Sequence, residues 1–237
     1  MRLPILVYHQ IAVQPPDCWY PGNYVEPADF AAQLGFLWKA GYSTISFSRY
    51  LEYLDGGGSL PRRPIILTFD DGYRSILTTG YPCLSKYGFI ATVFVVAGRI
   101  GGMNDWDGNA LRETLLSSDD ILALQQNGIE FQSHTLTHAR LTAIPRQHAR
   151  EELARSRTDL ELLLGAPVHT ISYPYGAYSA EVESLAREAG YRAGVITRRR
   201  LNRPTTNPLT LRRIAISNRT TLARFAWDLV RLRVHGD

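Results

Sequence analysis

The chain has 237 residues, 45% of them hydrophobic, enough for one α/β domain of ordinary size (residues 1–237) with a large core. Its net charge of +4 is carried almost wholly by arginine, since Lys39 and Lys86 are the only lysines. Cys18 and Cys83 lack metal-ligand spacing and exclude a disulfide scaffold, and no run of about 18 apolar residues marks a membrane-spanning helix.

The first strand reads at 4–8. The start has one basic residue and too short an apolar run for a signal peptide, which points to a cytoplasmic location. A helix follows at 27–40, opened by Pro27 and stopped by Gly41, with Phe30, Leu34, Leu37 and Trp38 on one face. A strand reads at 43–47 and another at 64–69. The second delivers Leu67-Thr68-Phe69-Asp70-Asp71-Gly72-Tyr73, two adjacent carboxylates at a strand end.

A helix at 75–87 and a strand at 91–97 come next. The loop Asn104-Asp105-Trp106-Asp107-Gly108 has two readings, an aromatic and acidic platform over the barrel mouth or a turn with a buried Trp. Cys18-Trp19-Tyr20-Pro21 offers a second aromatic platform. A helix at 119–127, capped from Ser117-Ser118, leads to a strand at 129–133 and to Ser133-His134-Thr135-Leu136-Thr137-His138. The four-residue spacing predicts both histidines on one side of a helical turn. Helices at 145–164, 179–189 and 221–232 alternate with strands at 169–173, 192–197 and 210–216.

Repeated βα units imply parallel strands with right-handed crossovers, and seven or eight of them suggest a closed or nearly closed barrel. A doubly wound open sheet is the alternative, but no Gly-x-Gly-x-x-Gly follows the first strand. Catalytic groups of a parallel barrel sit at the C-terminal strand ends. His9, Asp70, Asp71, His134 and Tyr175 all fall there. Asp71, His134 and His138 supply one oxygen and two nitrogens for a divalent ion, and Asp70 is left over as a base. Tyr175, beside Gly176, offers a backbone N–H to an oxyanion.

Thr68-Phe69-Asp70-Asp71-Gly72, the His134–His138 motif and Tyr173-Pro174-Tyr175-Gly176 together resemble the polysaccharide deacetylase family, the carbohydrate esterases that share the NodB homology domain. The resemblance implies a distorted (β/α) barrel of about seven parallel strands. It implies Asp70 as base and Asp71 as metal ligand; the ligand set itself suits zinc foremost, with cobalt, nickel or iron as alternatives. The substrate it implies is an N-acetylated saccharide. Two positions depart from the family pattern: Ser172 stands where Arg-x-Pro-Tyr has its arginine, and residues 211–216 lack Leu-x-His. Val7-Tyr8-His9 resembles the opening motif of the poly-β-1,6-N-acetylglucosamine deacetylase branch, which implies His9 as general acid. Arg213 is the candidate to replace the missing arginine. Trp106, Asp107 and Tyr173 are the candidate sugar contacts.

Other readings stay open: the same site acting on a small amide, and a pseudoenzyme that binds glycan. The last 46 residues hold 11 arginines, including Arg198-Arg199-Arg200, but no aromatic ladder accompanies them and no nucleic-acid partner is expected.

Overall fold

The computed structural model describes residues 2–18, 20–106 and 112–235. Its elements begin with β1 (Ile5–Tyr8), the short pair β2 (Gln10–Ile11) and β3 (Tyr24–Val25), α1 (Pro27–Lys39), β4 (Ser43–Thr44), α2 (Phe47–Leu54) and β5 (Pro64–Phe69). There follow α3 (Tyr81–Ser85), β6 (Thr92–Val95), α4 (Ser118–Gln126), β7 (Glu130–Ser133), α5 (Arg146–Leu164), β8 (Thr170–Ser172) and α6 (Ala180–Glu188). The chain closes with β9 (Ala193–Ile196), β10 (Leu211–Arg212), β11 (Ile214–Ala215) and α7 (Leu222–His235).

Parallel pairing runs from β1 through β5, β6, β7, β8 and β9 to β10, while β11 returns to β1. Only Arg213 separates β10 from β11. One short segment therefore pairs with β9 through Leu211 and Arg212, then with β1 through Ile214 and Ala215. The result is a nearly closed barrel. Counting β10 and β11 as one split strand gives seven positions in chain order.

Strand periodicity separates two cores. On β5, Ile65, Leu67 and Phe69 face the outer helices, while Ile66 belongs to the inner cluster with Ile5, Phe94, Val195 and Leu211. Thr68 and Asp70 continue the inner row of Ile66. Outside, α1 buries Phe30, Leu34 and Leu37, and Phe30 packs edge-on against Tyr8 and Phe69. Each such side chain contributes about 1.5–3 kcal/mol on burial. Trp38 departs from the sequence expectation. One residue past Leu37 turns it about 100° away, so it is exposed, and Gln33 takes the buried position and accepts from Tyr8 Oη at 2.9 Å.

Two other expectations are corrected. The strand at 43–47 stops at Thr44, because Ser46 caps α2 by accepting from the Arg49 N–H. That helix lays Phe47, Tyr50 and Leu51 against Ile5, Ile66 and Phe94, plugging the N-terminal end of the barrel. The helix at 75–87 is a π-turn over Ile76–Gly80 followed by α3. Among the described residues no helix is long and apolar enough to cross a membrane.

Candidate metal centre and active site

Adjacent strand residues point to opposite faces, so Asp70 and Asp71 could not both reach the barrel mouth from regular β structure. Asp70 holds the inner row set by Ile66 and Thr68. Asp71 then turns into the left-handed region with φ 72°, and the pleat alternation ends. Both carboxylates are buried at the same end of the barrel.

The histidine loop is built in a similar way. His134 follows the last residue of β7, but the predicted helical turn to His138 does not form. Thr135 has φ 67° and His138 φ 65°, conformations that no right-handed turn contains. Side chains hold this backbone instead. Glu152 on α5 accepts from the Leu136 and Thr137 N–H groups at 2.9 Å each and from the Thr137 hydroxyl at 2.6 Å. Thr135 Oγ1 accepts from the His138 N–H, and the Ala97 and Gly98 amides donate to the Thr135 and Leu136 carbonyls. The four non-glycine residues with positive φ among those described are Asp71, Thr135, His138 and Tyr175. All four line or adjoin one pocket, where backbone strain of about 1–3 kcal/mol per residue must be offset by such contacts.

Asp71, His134 and His138 each present one donor atom, all within 4.8 Å of one another. His134 Nε2 and His138 Nε2 lie 3.2 and 3.3 Å from Asp71 Oδ1. Donors at roughly 2.0–2.1 Å from a tetrahedral ion stand about 3.3 Å apart, so this spacing fits a divalent cation. Among the described residues buried Asp71 Oδ1 has no well-formed hydrogen bond, which leaves it open to ligate an ion. His134 Nδ1 lies 2.7 Å from the Ser172 carbonyl, which can only accept, so the proton sits on Nδ1 and Nε2 is free to ligate. His138 Nδ1 is 3.2 Å from Tyr175 Oη. Burial opposes the charge on Asp71, but the two histidines outweigh it and hold its carboxyl well below the usual range. Burial likewise favours neutral His134, yet Asp70 and Asp71 raise it.

Arg213, at the split between β10 and β11, reaches back across the barrel. Its Nη1 and Nη2 donate to Asp70 Oδ1 and Oδ2, both at 2.6 Å, and it also donates to Thr68 Oγ1 and Ser172 Oγ. Burial works against the Asp70 charge, but the Arg213 guanidinium and His134 outweigh it and hold the carboxyl below its normal value. Ser172, noted in the sequence only for not being arginine, serves both halves of the site. Its carbonyl fixes His134 and its hydroxyl donates to Asp70 Oδ2 at 3.1 Å. Glu152 and Ser172 are the residues that sequence reasoning missed. Nothing in their local sequence distinguishes them, because their partners lie on other elements.

These groups open into a pocket of about 370 Å³. His9 lines it, with a buried Nδ1 that finds no hydrogen-bond partner among the described residues. Tyr175 stands at the mouth, 46% exposed, with φ 60° and its ring against His138 and beneath Arg140. Trp106 also lines the pocket, and one indole face is stacked on His138 at 4.6 Å. The Tyr173 ring is buried in the outer core, close to Gly194, so the pocket meets little of it. Asp107 and Trp19 lie outside the described residues. A larger hollow of about 490 Å³ lies at the opposite end of the barrel, but its charged groups are already paired: Arg192 with Asp55, and Glu130 with the α2 amides.

The polysaccharide deacetylase family model matches residues 57–194, more than half of the chain. The match takes in Asp70, Asp71, His134, His138 and Tyr175 and leaves out His9 and Arg213. The chain is 30% identical over 198 residues to the polysaccharide deacetylase relative YxkH of Bacillus subtilis, covering 83% of this chain and 64% of that protein. It is 25% identical over 206 residues to the poly-beta-1,6-N-acetyl-D-glucosamine N-deacetylase of Staphylococcus aureus, covering 83% and 69%. It thus spans about two thirds of the length of these curated relatives. The solved structure of the Streptococcus pyogenes deacetylase PplD in complex with acetate superimposes with a TM-score of 0.84 at 27% identity, over 96% of this chain and 98% of that one. With its barrel, its gathered donor set and these likenesses, the chain belongs to the polysaccharide deacetylase family.

Proposed function

We propose that the protein is a metal-dependent hydrolase that removes N-acetyl groups from an N-acetylhexosamine-containing saccharide. One observation carries the reading. Three ligand atoms converge beside a fourth group, Asp70, which is held by a bidentate arginine and left off the donor set. A divalent cation on Asp71, His134 and His138, zinc foremost with cobalt, nickel or iron as alternatives, would supply Lewis acidity toward the acetamide and acidify the attacking water.

The remaining work falls to side chains. Asp70 Oδ2 already accepts from Arg213 and Ser172, whereas Oδ1 accepts from Arg213 alone. A carboxylate oxygen has two acceptor sites, so Oδ1 is the atom that takes the water proton. Arg213 fixes the plane of that carboxylate. As water oxygen bonds to the acetyl carbon, the Tyr175 backbone N–H donates to the developing oxyanion. His9 gives a proton to the departing nitrogen as the C–N bond breaks, leaving a free amine and acetate. The name of the staphylococcal relative supports an N-acetylglucosamine polymer, and the open, aromatic-edged mouth supports a saccharide over a small enclosed amide.

The test is acetate release from N-acetylglucosamine oligomers of β-1,6 and β-1,4 linkage. Metal-reconstituted protein is run beside His134→Ala and a chelated sample. Release that needs both the metal and His134 is the expected result. Tight metal binding with no release from either linkage would overturn it in favour of a small-amide substrate or a glycan-binding pseudoenzyme.

A further inference from the structure

The catalytic pocket continues past its own wall. Thr197, Ala215 and Ser217 line both that pocket and an adjoining hollow of about 400 Å³. These side chains are small, so the sill between the two hollows is low. The second hollow collects Arg199 from the loop after β9, Arg219 from the turn after β11, and Arg224 and Asp228 from α7. Arg199, Arg224 and Asp228 then line a third hollow, walled by Trp227, which is 62% exposed. Three adjoining depressions therefore connect the Asp70 pocket to Trp227 through shared walls.

The middle depression has more positive charge than it neutralises. Asp228, 8% exposed, pairs with Arg199 and lies 3.8 Å from Arg224 Nε. Arg219 is exposed and makes no ion pair among the described residues. Arg213 also lines this hollow, but its fork is taken by Asp70, so one carboxylate, Asp228, faces the three remaining guanidinium groups. Guanidinium forks match the geometry of carboxylate and phosphate oxygens, and an indole face suits a sugar ring. In the sequence these arginines are scattered over 199–224 and read as ordinary surface charge. The fold gathers them next to the catalytic pocket.

We infer that this groove binds an anionic saccharide. With the N-acetyl group at Asp70, the sugar chain crosses the Thr197–Ala215–Ser217 sill. It sets a carboxylate or phosphate substituent among Arg199, Arg219 and Arg224 and rests a further ring on Trp227. The inference rests on the saccharide reading of the site and adds the charge of the substrate to it.

Three probes test it at low and high salt: a neutral N-acetylglucosamine tetramer, a tetrasaccharide alternating glucuronate with N-acetylglucosamine, and an N-acetylglucosamine tetramer bearing a 6-phosphate. Acetate release and equilibrium binding by calorimetry are both read. At least one anionic probe is expected to exceed the neutral one by about tenfold in kcat/KM and in affinity, with the preference shrinking near 0.5 M salt. Whichever anionic probe wins identifies the oxyanion. In Arg219→Gln the ratio of anionic to neutral probe is expected to fall toward one, and in Arg219→Glu below one. Equal binding of neutral and anionic probes, or an anion preference that both variants retain, overturns the inference even if acetate is released. Anion-selective binding through Arg219 without acetate from any probe upholds the groove and overturns the deacetylase reading instead.

Discussion

Arg213 and Asp70 meet across the seam of the barrel, nitrogen to oxygen at 2.6 Å on both arms of the fork. Both side chains are essentially excluded from water. Arg213→Met would therefore leave a buried carboxylate uncompensated. Stability is expected to fall by about 3–5 kcal/mol, because breaking one half of a buried pair costs far more than the intact pair contributes. Adding Asp70→Asn to that variant should restore much of the loss in urea melts, since the orphaned charge is then gone. Activity should fall by about 100-fold or more in both variants while metal content stays near one ion per chain. Melts in which the double variant is no more stable than the single would refute the pairing argument.

Glu152 holds the ligand loop without touching the donor set. In Glu152→Ala, three hydrogen bonds to Leu136 and Thr137 vanish and the loop that carries His138 loses one of its anchors. Metal affinity is expected to drop by about 10–100-fold in chelator competition, with the far-ultraviolet circular dichroism unchanged. Glu152→Gln keeps one acceptor oxygen and should fall between.

A third expectation concerns Gly98, whose added Cβ would sit 2.6 Å from the Leu136 carbonyl oxygen. Gly98 also donates its amide to that oxygen at 2.8 Å. Gly98→Ala must push the loop outward, at a cost of about 1–3 kcal/mol. For a chain of this size, Tm should drop by roughly 2–4 °C per kcal/mol. Metal affinity should weaken in the same variant. A lower Tm with undiminished affinity would show that the loop absorbs the displacement without moving His138.

The capping box of α4 gives a pH signature away from the site. Asp120 Oδ2 accepts from the Ser117 N–H at 3.0 Å and from Arg74 at 3.3 Å. Burial acts to raise its pKa, but the Ser117 contacts and Arg74 outweigh it and hold the carboxyl below its usual value. A folded-state value below the unfolded one means that the carboxylate stabilises fully above the unfolded pKa of about 3.9 and stops doing so as pH falls through the folded value. Asp120→Ala should thus be less stable than wild type by about 1 kcal/mol at pH 7. The gap should narrow in acid, as read from denaturation midpoints at pH 7 and pH 3.

Much of this architecture was legible along the chain because its signals are local. The cap at Ser117, the Pro27 start and the Gly165 stop set α1, α4 and α5 near their expected bounds. Asp71, His134 and His138 announced themselves as a donor set by residue type, with Asp70 beside them as the spare carboxylate. Three features were not legible. The backbone of Thr135–His138 depends on Glu152, a residue on another element, so spacing alone suggested a helical turn. Helix α2 carries Phe47, Tyr50 and Leu51 on one face after a serine cap, but its eight residues were too few for periodicity to outweigh the strand signal at 43–47. Arg213 could be named only as a candidate, since its contact with Asp70 spans 143 residues and exists only once the ring is formed.

Split between β10 and β11, the segment 211–215 is at once the last stave of the barrel and the bearer of the cation that holds Asp70. A chain released short of residue 211 would contain Asp71, His134 and His138 and still lack the grip on Asp70. On the proposed mechanism competence is thereby tied to ring closure: the site finishes assembling only when residues 211–215 find their slot between β9 and β1. Refolding followed by activity would then report the closing of the ring, whereas refolding followed by metal uptake would report an earlier event.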